Sequence, residues 1–150
     1  MSKNKKIIGK LGEDIACNFL QESGYQILNK NYKCHFGEID IIARIARSIV
    51  FFEVKTRTTT DFGYPFESVN KEKIKKIFII IDYFLKENKL LEYEILKNKI
   101  SYCFKVASII LDKELVQACL YSNDTQNIDF KKLKIGMDYS INIIEYQQDY

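Results

Sequence analysis

Four side chains in this sequence are of the types and spacing that could carry out hydrolysis: Glu13, Asp40, Glu53 and Lys55, the last two in the triplet Glu53-Val54-Lys55. Breaking a phosphodiester needs a nucleophile near neutral pH and a counter-charge for the phosphate as it is attacked. A hard divalent cation held by two or three carboxylates meets both needs. The Val54 carbonyl adds a further oxygen donor. Lys55, two residues after Glu53, could orient the attacking water or offset phosphate charge, and with a depressed pKa it could act as a base. An E-x-K triplet alone is weak, because chance produces one on the order of once per couple of hundred residues. The bland reading is a surface ion pair between Glu53 and Lys55, worth little. An Asp 13 positions upstream of Glu53 and a Glu at a helix edge sharpen the first reading.

These groups need elements to bring them together. From Gly9 to Ser23 apolar residues recur at helical spacing (Leu11, Ile15, Ala16, Phe19, Leu20), and Gly24 follows as a helix-terminating C′ residue. Glu13 falls at the edge of that apolar face. Glu38 to Ala43 alternates as a strand, with Ile39, Ile41 and Ala43 expected on one face and Glu38 and Asp40 on the other. Arg44 to Arg47 is a turn without the Asn-Gly chemistry of a tight hairpin. Ser48 to Lys55 is a second strand that sets Val50, Phe52 and Val54 on one face and Phe51, Glu53 and Lys55 on the other. Asp40 and Glu53 therefore come from neighbouring strands and can converge on one ion. A polar loop from Thr56 to Pro65 leads to Ser68, a candidate cap for a helix running to about Asn88. Ile100 to Leu111 is a further strand, while Glu114 to Leu120 and Ile141 to Tyr146 fit strand or helix. The α-β-β-α-β order indicates an α/β sandwich with helices packed on a mixed sheet.

Charge is distributed unevenly. The net charge is only +3, but residues 1–76 carry +5 and residues 77–150 carry −2. A basic N-terminal half could face a polyanion; the plainer reading is uneven solvated surface. Arg57, Lys71 and Lys73 are candidate nucleic-acid contacts, the two lysines belonging to a cluster that ends at Lys76. A solvated helix face would look the same. Glu38 shares the Asp40 face and could be a third metal ligand; the favoured reading is a structural hydrogen bond or ion pair near the site. His35, a lone imidazole beside a glycine turn, is not read as a metal ligand. Most Tyr and Phe residues sit at core spacing, so no base-stacking platform is expected.

At the level of motifs, the chain resembles the YraN family of bacterial proteins, related to PD-(D/E)XK nucleases and archaeal Holliday-junction resolvases. The resemblance rests on Gly9-x-x-Gly12-Glu13-Asp14-x-Ala16, Gly24-Tyr25-x-Ile27-Leu28, Asn31-Tyr32, Phe36-Gly37-Glu38-Ile39-Asp40-Ile41-Ile42-Ala43 and Phe52-Glu53-Val54-Lys55-Thr56-Arg57. It covers residues 9 to 85, with a weaker continuation through Phe104-Lys105-Val106-Ala107. It implies a restriction-endonuclease-like three-layer α/β core, a mixed sheet of about four strands flanked by helices. It also implies Mg2+ or Mn2+ at Asp40 and Glu53, a catalytic Lys55, and Glu13 as an auxiliary acid or water-mediated ligand. The implied partner is DNA, structured or branched, and the related resolvases imply a homodimer. Three positions depart from the family pattern: Lys105 stands where an acidic residue is common, Ile74 where Gln is, and His35 where Arg is. They bear on substrate contacts more than on the metal site.

Length and composition frame the remaining possibilities. A chain of 150 residues, 47% hydrophobic and 29% charged, is expected to be one globular domain. Its motif-bearing core spans about 9–111, followed by a divergent segment, 112–150. The run Ile77 to Leu85, broken by Asp82, is too short to span a membrane, and the Lys-rich start lacks a signal-peptide core. Cys17, Cys34, Cys103 and Cys119 are widely spaced and read as reduced thiols of a cytoplasmic protein, without a zinc site. Three functions follow in order of fit: a metal-dependent nuclease, a non-catalytic nucleic-acid-binding protein on the same fold, and an interaction protein with an incidental acidic cluster.

Overall fold

The structure is a computed structural model that describes residues 3–58, 69–122, 125 and 128–146. Helix α1 (Lys3–Glu22) leads into strands β1 (Gln26–Cys34), β2 (Gly37–Ile45) and β3 (Ser48–Arg57). Helices α2 (Lys71–Glu87) and α3 (Lys89–Leu96) precede β4 (Ser101–Leu111). Helix α4 (Lys113–Ser122), a 3-10 turn at Phe130–Lys132 and β5 (Tyr139–Tyr146) complete the order. The five strands form one sheet in sequence order. All neighbours are antiparallel except β3 and β4, which run parallel because α2 and α3 carry the chain back across the sheet. The expected mixed α/β sheet is therefore present, with five strands rather than four.

Two cores form, one on each face of the sheet. On the first, Leu11, Ile15, Ala16 and Leu20 of α1 pack on Ile41, Ala43, Val50, Phe52 and Ile109, joined by Val116 and Cys119 of α4. On the second, Ile77, Phe78, Ile81 and Phe84 of α2 cover Ile39, Ile42, Ile49, Phe51, Phe104 and Val106. A sheet buried on both faces needs apolar residues at successive positions, which is why Ile49 to Phe52 is an unbroken apolar run. No described helix is long and apolar enough to cross a membrane. All four cysteines are free thiols, Cys17 and Cys119 buried and the other two half-buried.

Several local expectations change. The polar stretch Asn29 to Cys34 is the outer half of β1, an edge strand exposed along most of its length. Helix α1 starts at Lys3, a turn and a half before the apolar pattern begins. Gly24 does end it, at φ +87°, with the Tyr25 N–H returning to the Leu20 carbonyl. Ser68, the expected cap of α2, lies outside the described residues; Asn70 caps that helix, its side chain accepting the Lys73 N–H at 2.9 Å. The β2–β3 connection is a tight two-residue turn despite lacking Asn-Gly. Ala46 takes φ +48° there, and the neighbouring Arg47 ties the turn to the start of β4, its Nε donating to the Lys99 carbonyl at 2.7 Å. The segment 114–120 is helical and 141–146 is strand.

The strict alternation expected for β2 also fails, at Asp40. Ile39 and Ile41, two residues apart, point into opposite cores, so Ile39 joins Ile42 under α2 instead of sharing a face with Ile41 and Ala43. Across from this point, Asn31 of β1 adopts φ +52°, and the β1–β2 ladder skips the Asn31–Asp40 pair. The β2–β3 ladder stops at Ile41↔Phe52, one step before Asp40 and Glu53 would pair. The sheet opens there.

Candidate active site

The opening makes a site. Where β2 and β3 part, Asp40 Oδ2 accepts the backbone N–H of Val54 at 2.7 Å, closing the splayed end with a side chain instead of a ladder bond. Glu53 projects to the α2 side, only 7% exposed. One of its oxygens, Oε1, accepts from Lys55 Nζ at 2.5 Å and also from Lys73 Nζ. Lys73 reaches it from the first turn of α2, fixed by the Asn70 cap. Asp40, Glu53 and Lys73 open into a cavity of about 460 Å³, together with Glu38, Lys33 and Lys76.

Glu13 is brought close by a tight helix–strand approach. A Cβ on Gly12 would lie 1.8 Å from the Thr56 hydroxyl, so α1 and β3 meet at a distance only glycine permits. The next residue, Glu13, therefore sits beside the carboxylates. Burial pushes its carboxyl pKa up, a hydrogen bond from Asn31 partly offsets this, and the charges of Asp14, Glu38 and Glu53 push the same way as burial. Asp40 is shifted further: burial above all, then the Glu53 charge, raises it to about 7, against the opposing Val54 hydrogen bond. At Lys55 burial alone would depress the pKa, but the Glu53 charge and hydrogen bond prevail and hold the ammonium above its ordinary value. The depressed value that would make Lys55 a base is thus absent. Lys73, in contrast, is lowered, chiefly by burial.

The donor chemistry fits a hard divalent cation. Asp40 and Glu53 present carboxylate oxygens to one cavity, and such oxygens, completed by water, are what Mg2+ or Mn2+ takes. Among the described residues no group of three or more His, Cys, Asp or Glu is arranged to hold a metal ion, and the Glu13 charge bears on both Asp40 and Glu53. The Val54 backbone spends its N–H on Asp40, while its side chain packs in the α1 core.

The remaining candidates separate. Glu38 pairs with Lys33 at 3.4 Å on the cavity wall, the structural ion pair expected of it. Arg57 ends β3 and Lys71 stands exposed on the first turn of α2; neither lines the cavity. Lys105 lies on the α1 side of β4 and pairs with Glu145 of β5 at 3.1 Å, so it does not enter the site. Sequence reading passed over two contributors, Asn31 and Lys33. Only pairing across the β1–β2 hairpin brings them to Asp40, and the polar run that holds them gives no strand signal.

Fold and site together define an α/β protein with a carboxylate–lysine pocket where two central strands of a mixed sheet diverge. The chain belongs to the uncharacterised protein family UPF0102, the YraN family that its motifs resemble; the family profile matches residues 12–109. A UPF0102 protein of Clostridium novyi is 43% identical over 140 residues, covering 93% of each chain. One from Dictyoglomus turgidum is 47% identical over 72% of this chain and 86% of its own. Another, from Caldicellulosiruptor bescii, is 43% identical over 73% of this chain and 87% of its own.

Proposed function

We propose that this protein is a metal-dependent nuclease that hydrolyses phosphodiester bonds in DNA, structured or branched DNA being the favoured class. The observation that carries the reading is the meeting of Asp40, Glu53 and Lys55 at the splayed end of β2 and β3, where the two carboxylates open to one cavity and Lys55 is bonded to Glu53. Asp40 and Glu53, with the Val54 carbonyl, would hold Mg2+ or Mn2+. Such an ion, when bound, lowers the pKa of a coordinated water and offsets phosphate charge. The protein's own groups do the rest. Lys55, kept protonated by Glu53, donates to a phosphate oxygen or aligns the attacking water. Glu13, with its raised pKa, is suited to exchange a proton with water at the edge of the site. Lys76 and Lys33 line the cavity as phosphate contacts, and Arg57 and Lys71 extend the basic surface beyond it. The reduced thiols support a cytoplasmic setting, and the related resolvases support a homodimer.

One observation favours a second reading, a non-catalytic nucleic-acid-binding protein on the nuclease fold. Lys55 and Lys73 both occupy Glu53 Oε1, and a cation bound by Glu53 must compete with them. Cleavage assays separate the two readings. Purified protein is incubated with linear, single-stranded and four-way-junction DNA in Mg2+, Mn2+ or EDTA, beside Glu53→Ala and Lys55→Ala. The nuclease reading expects metal-dependent cleavage that each substitution lowers by at least roughly 100-fold. Binding without cleavage of any substrate would establish the second reading instead. Cleavage that survives Glu53→Ala would identify a contaminant.

A further inference from the structure

The turn that joins β1 to β2 does something the core does not require. His35 and Phe36 form its two central residues, and Gly37 follows at φ +144°. Phe36 is 39% exposed and His35 is exposed, yet the two rings lie against each other, centroids 3.9 Å apart. Tyr83, one helical turn beyond Ile80 on α2, closes the group edge-on at 4.9 Å from His35 and 5.6 Å from Phe36. Single exposed aromatics are ordinary, but these three are gathered into one cluster by two elements that otherwise build the cavity wall. Gly37 and Glu38 on one side of it, and Lys76, Ile77 and Ile80 on the other, are cavity residues. The rings therefore continue the rim of the candidate active site. Phe36 is one of the aromatics that the core does not absorb.

We propose that His35, Phe36 and Tyr83 form a stacking platform for an unpaired DNA base at the mouth of the site, so that the substrate carries a single-stranded or flapped nucleotide beside the bond to be cut. This rests on the DNA reading above and specifies its substrate. The chemistry matches on both counts. Aromatic planes accept any base by stacking, without hydrogen-bond readout, while lysines on the adjoining wall take the phosphates. Lys33 and Lys76 stand on that wall. Bases in an intact duplex are already stacked on one another and cannot lie on a protein ring without being extruded, at a cost of a few kcal/mol. The platform thus selects for DNA whose bases are already free.

The chain has no tryptophan, so a fluorescent base can be read without interference. Single-stranded and flapped oligonucleotides carrying 2-aminopurine beside the junction, and a fluorescein end label, are titrated with full-length protein in EDTA, so that cleavage does not intervene. Label anisotropy reports binding; 2-aminopurine quenching reports stacking. Wild-type protein should quench on binding. Phe36→Ala should lose the quenching and bind the single strand roughly 5-fold or more weakly, the equivalent of about 1 kcal/mol of stacking. Phe36→Tyr should keep both, as should Leu90→Ala on the exposed face of α3, whose side chain meets no core. Binding by anisotropy without quenching, or equal quenching by Phe36→Ala, would overturn the platform and leave the DNA reading standing. An absence of anisotropy change with any oligonucleotide would overturn both. Phe36 supports no buried core, so far-UV circular dichroism suffices to confirm that each variant is folded.

Discussion

Asp40 concentrates the electrostatic tension of the site in one side chain. Burial above all, then the charge of neighbouring Glu53, lifts its carboxyl pKa to about 7 from an ordinary 3.8, while the Val54 N–H and the Lys55 charge pull the other way. A raised acid pKa means that the folded protein holds a proton that the unfolded chain has already released. Between those two values folding therefore binds protons, and stability falls as pH rises from about 4 to about 7, levelling off above. Asp40→Asn removes this dependence. In EDTA its melting temperature should exceed that of wild type at pH 8, and the difference should shrink by pH 5; a constant difference would refute the assignment. The same substitution should abolish metal-dependent cleavage. On the proposed function, stability is given up where the chemistry would need charge. The sequence made Asp40, Glu53 and Lys55 legible as a group, because a period of two places Glu53 and Lys55 on one face. It could not reveal the sign of the Lys55 shift, which depends on how far burial is outweighed by a carboxylate in contact.

Among the elements, the contact of α1 with β3 decides where Glu13 stands. Gly12 faces Thr56 so closely that any side chain collides with its hydroxyl and Cβ, and the obstacle sits on a β-strand that cannot easily move. Gly12→Ala should force α1 outward, costing about 1–3 kcal/mol in urea unfolding as overpacking does. Cleavage should fall with it, since Glu13 moves too. Gly9, one turn earlier, meets nothing within 4 Å, so Gly9→Ala should leave stability unchanged or slightly raised. Unaltered stability of Gly12→Ala would mean that the approach is looser than described. Helices α1 and α2 were legible from their apolar spacing, since each buries one stripe against a sheet. Helix α3 was not: it has eight residues, none fully buried, and rests on the α2 core through Leu91 and Ile95, too short a stripe to stand out. Strand β1 escaped for a related reason, as an edge strand with polar residues on most of its length.

At the scale of the whole molecule, a net charge of +3 conceals how the charges are used. Glu13, Asp40 and Glu53 are gathered at the opening of the sheet, while Lys33, Lys73 and Lys76 meet the same cavity from β1 and α2. A phosphate backbone approaching that wall displaces counterions. If three phosphates are neutralised, for instance by Lys33, Lys76 and Lys71, raising monovalent salt from 50 to 200 mM should weaken binding by about 40-fold for a duplex and about 20-fold for a single strand. Lys76→Ala should flatten the salt slope by about one unit. A flat response would mean that the basic residues serve the protein's own carboxylates alone.

By itself the sequence determined the α/β class, the buried faces of α1, α2 and β3, and the family, because each depends on local period or on contiguous motifs. Tertiary structure alone decided the fifth strand, the break in alternation at Asp40, the reach of Lys73 across to Glu53, and the bond of Arg47 in the β2–β3 turn to the Lys99 carbonyl. The physical reason is common to all four. Each depends on where a strand or helix distant in sequence comes to rest, and a periodic pattern carries no information about which neighbour an element will meet.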